Sequence, residues 1–312
     1  MSKQKKKRNH FVPQSYLRSF AADPAGKKIW TFGKENVDFE LRPIKKVAVK
    51  FYLYAPLSPE GRDYSFEDKL ASLEQWFGEP LWKVLTTAYV DLADETIRKM
   101  LALLTAVMWV RNPRFLEMMN EVHRQLREMY LSHPTLPDEV EIGGKTFEID
   151  KSDWPSFRDA SEEDKKRVWL KEVGSAAHYA KKLMKMRWSI LCSDAPVFIT
   201  TDNPVIAIHP SLRFRGIENP DTTLMFPLSP TRVLIMDNRH SEPANQYYPL
   251  KASPAVTNLL LWRESSNVMF SSRPAEEVCN EICADAEAGG FRWKPGGWYP
   301  EQASTVEDVI GP

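Results

Sequence analysis

The sequence predicts an α+β protein: a mixed or antiparallel sheet made from an N-terminal hairpin and C-terminal strands, backed by a bundle of long helices. Three observations predict it. Short runs rich in β-branched and aromatic residues open the chain, beginning with Lys28–Phe32. From Phe66 the apolar residues recur at spacings of three and four. The last third returns to short β-rich runs separated by turns. This order of sheet, helices, then sheet with helices is not the regular alternation of a parallel α/β fold.

The elements follow in order. Residues 1–8 are a basic tail with the character of a solvated end. Pro13 suits the first turn of a short helix, and Tyr16, Leu17 and Phe20 share the face that docks it. Lys28–Phe32 and Val37–Leu41 form a hairpin, with a third strand expected over Val47–Tyr54. A helix carries Leu70, Leu73, Trp76, Phe77, Leu81 and Leu85, and Pro80 must kink or break it. Asp94 caps the next helix, which is apolar on nearly all sides and stops near Arg111-Asn112, before Pro113. Phe115–Tyr130 makes a more charged helix. Glu139–Ile142 and Thr146–Ile149 alternate around Gly143-Gly144 as a hairpin. One long helix is expected over 161–186, its basic second half matching the helix dipole. Strands over 188–192, 197–201, 205–209, 232–236 and 267–271 follow, with helices over 254–262 and 275–288. The domain reading is a basic tail (1–8), one α+β domain (9–290) carrying a hairpin insertion (133–160), and an aromatic, Pro- and Gly-containing tail (291–312).

Composition bounds the function. With 312 residues, 43% of them hydrophobic, the chain can bury a large core. It has 42 basic and 42 acidic residues, so a strongly basic nucleic-acid binder is disfavoured, while a local basic groove is not. Three cysteines build no disulfide framework; Cys279 and Cys283 share a helix face and read as small buried hydrophobes in a reducing compartment. No apolar segment follows the charged N-terminus, and the longest apolar run, Met100–Val110, is about half the ~20 residues a membrane span needs. A cytoplasmic protein with no membrane partner is expected.

The most distinctive stretch is Val197–Val205, an apolar strand that ends in the corner Asp202-Asn203-Pro204. Asp202 at a strand end could hold a metal or a substrate hydroxyl, or simply fold an Asx-turn. His10, before the first helix, could be a base or hold a backbone carbonyl. Arg111, at the end of the most apolar helix, could clamp an anion or complement the helix dipole. Glu67 and Glu74 lie about two turns apart on one helix face, as metal carboxylates or as a solvated face.

Two resemblances bear on these residues. His10-Phe11-Val12-Pro13-Gln14 with Tyr16-Leu17-Arg18 and Phe20, Arg111-Asn112-Pro113, Phe198–Pro204 and Phe226–Pro230 together resemble a bacterial family known only as a domain of unknown function. The resemblance spans His10 to Pro230 and implies His10, Arg111, Asp202 and Asn203 as signature polar residues. Asn9–Leu17 is also similar to the first motif of HNH nucleases, in which a histidine is the general base and its neighbour holds a metal. Asn9 stands where that motif has an acidic or histidine ligand, and no clean second half follows.

The leading expectation is a metal-dependent, nuclease-like phosphodiester hydrolase. Its catalytic residues would be His10 (base), Arg111 (phosphate clamp) and Asp202, with Asn203, Gln14 and Tyr16 contacting substrate. Asp202, Glu67 and Glu74 would hold Mg²⁺ or Mn²⁺, and the partner would be nucleic acid. The competing expectation is a non-catalytic nucleic-acid- or protein-binding module in which the signature polar residues form a structural network. The two separate on whether the side chains of His10, Arg111 and Asp202 open to a pocket or are fully buried and mutually satisfied.

Overall fold

The computed structural model describes residues 8–35, 38–132, 137–142, 145–148, 152, 154–210, 216–251, 253–288, 291–294 and 297–300. The basic run before Arg8 and the Gly143-Gly144 turn lie outside them. Strand β1 (Arg8–His10) passes through Pro13 into the short helix α1 (Gln14–Leu17). Pro13 is extended and sits just before the first turn rather than within it. The hairpin of β2 (Lys28–Gly33) and β3 (Phe39–Pro43) forms as its alternation predicts. The third strand is shorter than expected. β4 covers only Val49–Phe51, because Ala48 and Tyr52 on either side adopt positive φ. It pairs antiparallel with β1, setting Arg8 opposite Phe51 and His10 opposite Val49.

After the small β5 (Leu57–Ser58) and β6 (Gly61–Arg62) the chain turns helical. α2 (Ser65–Glu74) and α3 (Pro80–Thr87) are separated by a 3₁₀ turn over Gln75–Gly78, the break that Pro80 demands. α4 (Glu95–Val110) is capped by the Asp94 carboxylate, which accepts from the Thr96 and Ile97 N–H groups. From Leu104 to Val110 every residue is buried. Asn112 then caps α5 (Pro113–Leu131), which starts on proline.

β7 (Glu139–Ile142) and β8 (Lys145–Glu148) form the insertion hairpin, followed by α6 (Trp154–Arg158). The single helix expected over 161–186 is two: α7 (Glu162–Gly174), opened by a Ser161–Asp164 capping box, and α8 (Ala176–Leu183). The break falls at Gly174-Ser175, two weak helix formers, where a side chain at 174 would come within 3.4 Å of the Phe66 ring.

The remaining elements are β9 (Arg187–Cys192), β10 (Thr200–Thr201), β11 (Ile206–Ile208), β12 (Thr223–Ser229), β13 (Arg232–Asp237), β14 (Gln246–Pro249), α9 (Ala255–Arg263), β15 (Val268–Ser271), α10 (Ala275–Ala288), β16 (Phe291–Lys294) and β17 (Gly297–Pro300). β16 and β17 pair as a hairpin where the sequence suggests only a tail.

The N-terminal hairpin does join C-terminal strands, in a four-stranded sheet ordered β10-β15-β2-β3. The other C-terminal strands form a second, five-stranded sheet, β11-β12-β13-β9-β14, in which only β14 runs parallel to its neighbour. This second sheet is buried on both faces. Leu224, Phe226, Leu228, Leu234 and Met236 face the helices, whereas Met225 and Val233 pack with Phe32, Trp262 and Met269 of the other layer. Covering both faces explains why β12 and β13 read as continuous apolar runs. No helix among the described residues is long and apolar enough to cross a membrane.

Candidate functional site

The core helix α4 ends on a charge with nowhere apolar to go. Arg111 is 1% exposed, and its Nη2 and Nε are hydrogen-bonded inside the protein. Nη2 donates to the His10 carbonyl at 2.9 Å and to Glu74 Oε1 at 2.7 Å. Nε donates to the Tyr54 hydroxyl at 3.2 Å, and that hydroxyl donates to the Arg111 carbonyl at 3.1 Å. One side chain thus fixes β1, α2 and the Tyr54 segment to the end of α4.

These contacts form the inner wall of a pocket of about 100 Å³, lined by Arg8, Asn9, His10, Gln14, Tyr54, Glu67, Leu70, Ala71, Glu74 and Arg111. Glu67, Leu70, Ala71 and Glu74 all lie on one face of α2, the i, i+3, i+4, i+7 pattern of a helix. The pairing of Glu67 with Glu74 inferred from spacing is therefore realised in space.

The His10 ring is half-buried. Its Nε2 lies 3.3 Å from the Lys45 carbonyl, and Nδ1 lies 3.5 Å from the Gln14 amide nitrogen. A carbonyl accepts only from N–H, so Nε2 carries the proton and Nδ1 is the lone-pair nitrogen. Burial lowers the imidazole pKa below its ordinary 6.5, against a smaller opposing pull from the Lys45 carbonyl and Glu74. The ring is neutral at neutral pH and can accept a proton.

Asn9 is the residue the sequence undervalued. It is 7% exposed, and its Nδ2 donates to Glu67 Oε1 at 2.8 Å. Its Oδ1 is buried with no hydrogen-bond partner among the described residues. An orphaned buried acceptor costs roughly 1–3 kcal/mol, so this oxygen is suited to a donor or cation brought from outside. The signal available in the sequence was its place next to His10 in a motif whose equivalent residue is a ligand.

Asp202 faces elsewhere. It is buried, Oδ1 accepting from Ser266 N–H at 2.9 Å and Oδ2 from Asn267 and Val268 N–H at 2.8 and 3.0 Å. Burial pushes its carboxyl above the ordinary value, and the three N–H groups pull the other way. Asn203 donates to the Glu264 carbonyl at 2.9 Å, and Lys34 Nζ reaches the Arg263 and Ser265 carbonyls at 3.0 and 2.6 Å. The corner thus latches the end of α9 to the start of β15. The reason is topological. β10 pairs with β15, which aims the following residues at the α9–β15 turn.

Tyr16 is fully buried, its hydroxyl 2.8 Å from Thr200 Oγ1 and donating to the Pro227 carbonyl at 2.7 Å. His10, Gln14, Glu67, Glu74 and Arg111 therefore share one pocket, and Asp202, Asn203 and Tyr16 do not line it. The main chain of Asp202 comes close, since Asn112 donates to its carbonyl at 2.6 Å, but its carboxylate is turned away. The expected ligand trio of Asp202, Glu67 and Glu74 is not assembled. Among the described residues no group of three or more His, Cys, Asp or Glu side chains is placed to hold a metal. The oxygen-bearing side chains that do line the pocket are of mixed type, the Asn9 amide with the Glu67 and Glu74 carboxylates.

A second, larger depression of about 1010 Å³ lies among α5, α6, α7 and α8, with Phe115, Met118, Met119, Leu126, Phe157 and Val168 on its walls. The sequence marked its helices but gave no sign that they stand apart.

Fold and pocket together define an α+β protein whose N-terminal signature residues form one wall of a small polar site. The chain belongs to the family described as "Protein of unknown function (DUF4238)", which matches residues 8–278. Neither the curated proteins nor the solved structures contain a match.

Proposed function

We propose that the Asn9–His10 pocket is the site of a metal-dependent phosphodiester hydrolase. The observation that carries this reading is the orphaned Asn9 Oδ1 beside two carboxylates and a neutral imidazole. Asn9, Glu67 and Glu74 would hold Mg²⁺ or Mn²⁺, which prefer oxygen ligands and tolerate a site completed by water and phosphate. Bound there, the cation would offset charge on the phosphoryl oxygens. His10 serves as general base through Nδ1, with the Lys45 carbonyl orienting the ring through Nε2 and the long 3.5 Å contact from Gln14 giving way to substrate. Arg8 lines the mouth, and Lys45, Lys46 and Lys50 on the adjoining chain are exposed, which favours an anionic substrate. Arg111 is a positioning residue here, holding the His10 main chain and Glu74 rather than touching phosphate.

The test is hydrolysis of bis(p-nitrophenyl) phosphate and of a labelled oligonucleotide with Mg²⁺ or Mn²⁺, beside His10→Ala and Glu67→Gln. Turnover that needs the cation and falls at least 100-fold in His10→Ala supports the reading. Turnover equal in all three proteins, or absent in the parent, overturns it.

One observation favours a second reading, a binding module without catalysis. Arg111 and Asp202, two of the signature residues, are buried and hydrogen-bonded to other parts of the protein. That is what a structural network requires. Oligonucleotide binding without turnover is its expected result.

A further inference from the structure

The face of the β1–β4 ribbon beside the pocket carries an unusual side chain. Phe51 is 66% exposed, with a large apolar ring in solvent. In the antiparallel register it stands directly opposite Arg8, and His10 stands opposite Val49 two residues along. Residues paired across a ladder project from the same face, with Cβ atoms about 5 Å apart. Phe51 therefore shares its face with Arg8 and His10, both of which line the pocket. The cation that stands against the ring is Arg8, and Lys45 and Lys46 lie exposed on the connection into β4; Lys50, paired with Asn9, projects from the other face.

An exposed ring paired with a cation beside a polar pocket matches how proteins hold single-stranded nucleic acid. Bases stack on aromatic faces while the backbone follows basic side chains. A duplex keeps its bases stacked on one another and offers Phe51 nothing. A purely electrostatic surface would need no ring. We propose that the substrate of the pocket is a single-stranded nucleic acid with one base stacked on Phe51 and the adjoining phosphate on Arg8. This rests on the hydrolase reading for the identity of the pocket, but stacking is measurable without turnover.

The experiment is fluorescence anisotropy of a labelled twelve-nucleotide oligothymidylate with the full chain in EDTA, so that cleavage is silent. Phe51→Ala should weaken binding about 5- to 100-fold, the range of one lost base stack. Phe51→Trp should bind at least as well as the parent. Phe51→Leu, which keeps the apolar bulk without the π-face, should behave like alanine. Arg8→Gln should weaken binding and lower the slope of log affinity against log salt by about 0.7, one phosphate contact on a single strand. Phe51 is exposed, so these variants should keep the parent's thermal midpoint.

Equal affinity in parent and Phe51→Ala overturns the proposal, as does a duplex of the same length binding tighter than the single strand. If bis(p-nitrophenyl) phosphate is hydrolysed while Phe51→Ala binds normally, the hydrolase reading stands and the stacking inference falls. If Phe51-dependent binding is found without turnover, stacking stands and hydrolysis falls.

Discussion

Asp202→Ala should behave as a stability mutation and not as an active-site mutation. The carboxylate accepts three main-chain N–H groups, from Ser266, Asn267 and Val268, in the turn between α9 and β15. Alanine removes every acceptor at once. A partly buried N–H left without a partner costs roughly 1–3 kcal/mol, and water admitted by the smaller side chain relieves part of it. A loss of about 3–5 kcal/mol follows. At about 2.1 cal/mol/K of unfolding entropy per residue, a 312-residue chain loses about 0.65 kcal/mol per degree near its midpoint. The melting temperature should therefore drop by roughly 5–8 °C. Asp202→Asn should lie between, because one oxygen can still serve Asn267 and Val268 while its NH₂ group opposes the Ser266 N–H. Guanidinium unfolding of the three proteins at pH 7, with turnover measured well below the lowest midpoint, checks the argument. An alanine variant within about 0.5 kcal/mol of the parent would refute the latch. So would one of parental stability that has lost all turnover, since that would place the carboxylate in the chemistry.

Other expectations can be checked with the same measurements. Tyr16→Phe strands Thr200 Oγ1 and the Pro227 carbonyl in the core and should cost about 1–3 kcal/mol in guanidinium unfolding, with oligonucleotide affinity unchanged. Arg111→Met removes the donor to Glu74 and the His10 carbonyl and one of the two bonds of the Tyr54 hydroxyl, and because Glu74 is partly solvated a loss of about 2–4 kcal/mol should follow. His10 has a pKa lowered below 6.5, so its neutral form is favoured by folding. That contribution is present above pH 6.5 and is lost as pH falls below it. His10→Asn should accordingly lose less stability than the parent between pH 7 and pH 5, and the opposite order would contradict the burial argument. Mn²⁺ should raise the parent's thermal midpoint and leave that of Glu67→Gln unmoved.

How much of this was legible in the sequence depends on the range of the interaction. Local chemistry was read well. The Asp94 cap, the break at Pro80, the stop before Pro113 and the β2–β3 hairpin are decided within a few residues. The split at Gly174-Ser175 was masked because the charge pattern runs smoothly through it. The division of the C-terminal strands into two sheets was not legible, because an apolar run fits a buried strand in either sheet. For the site, helix periodicity correctly put Glu67 and Glu74 together. Nothing local, however, reveals which way a strand-end side chain turns. Asp202 followed the pairing of β10 with β15, a contact between residues about 70 apart in the chain.

The same geometry explains why signature residues can mislead about chemistry. Arg111 and Asp202 look like active-site charges because each is an ionic group in an apolar setting. Each is held there by partners that no sequence window contains. An engaged ion resists substitution for structural reasons alone, since removing it strands several polar groups at once. The residue left with an unfilled valence, Asn9, is uncharged and drew little notice. Yet the two kinds of residue are coupled. The Arg111 guanidinium grips the His10 carbonyl and Glu74 together, so the separation of base and carboxylate is fixed by a group that need never touch a substrate. A site built in this way draws its rigidity from the core, and its chemical character from the few atoms the core leaves unsatisfied.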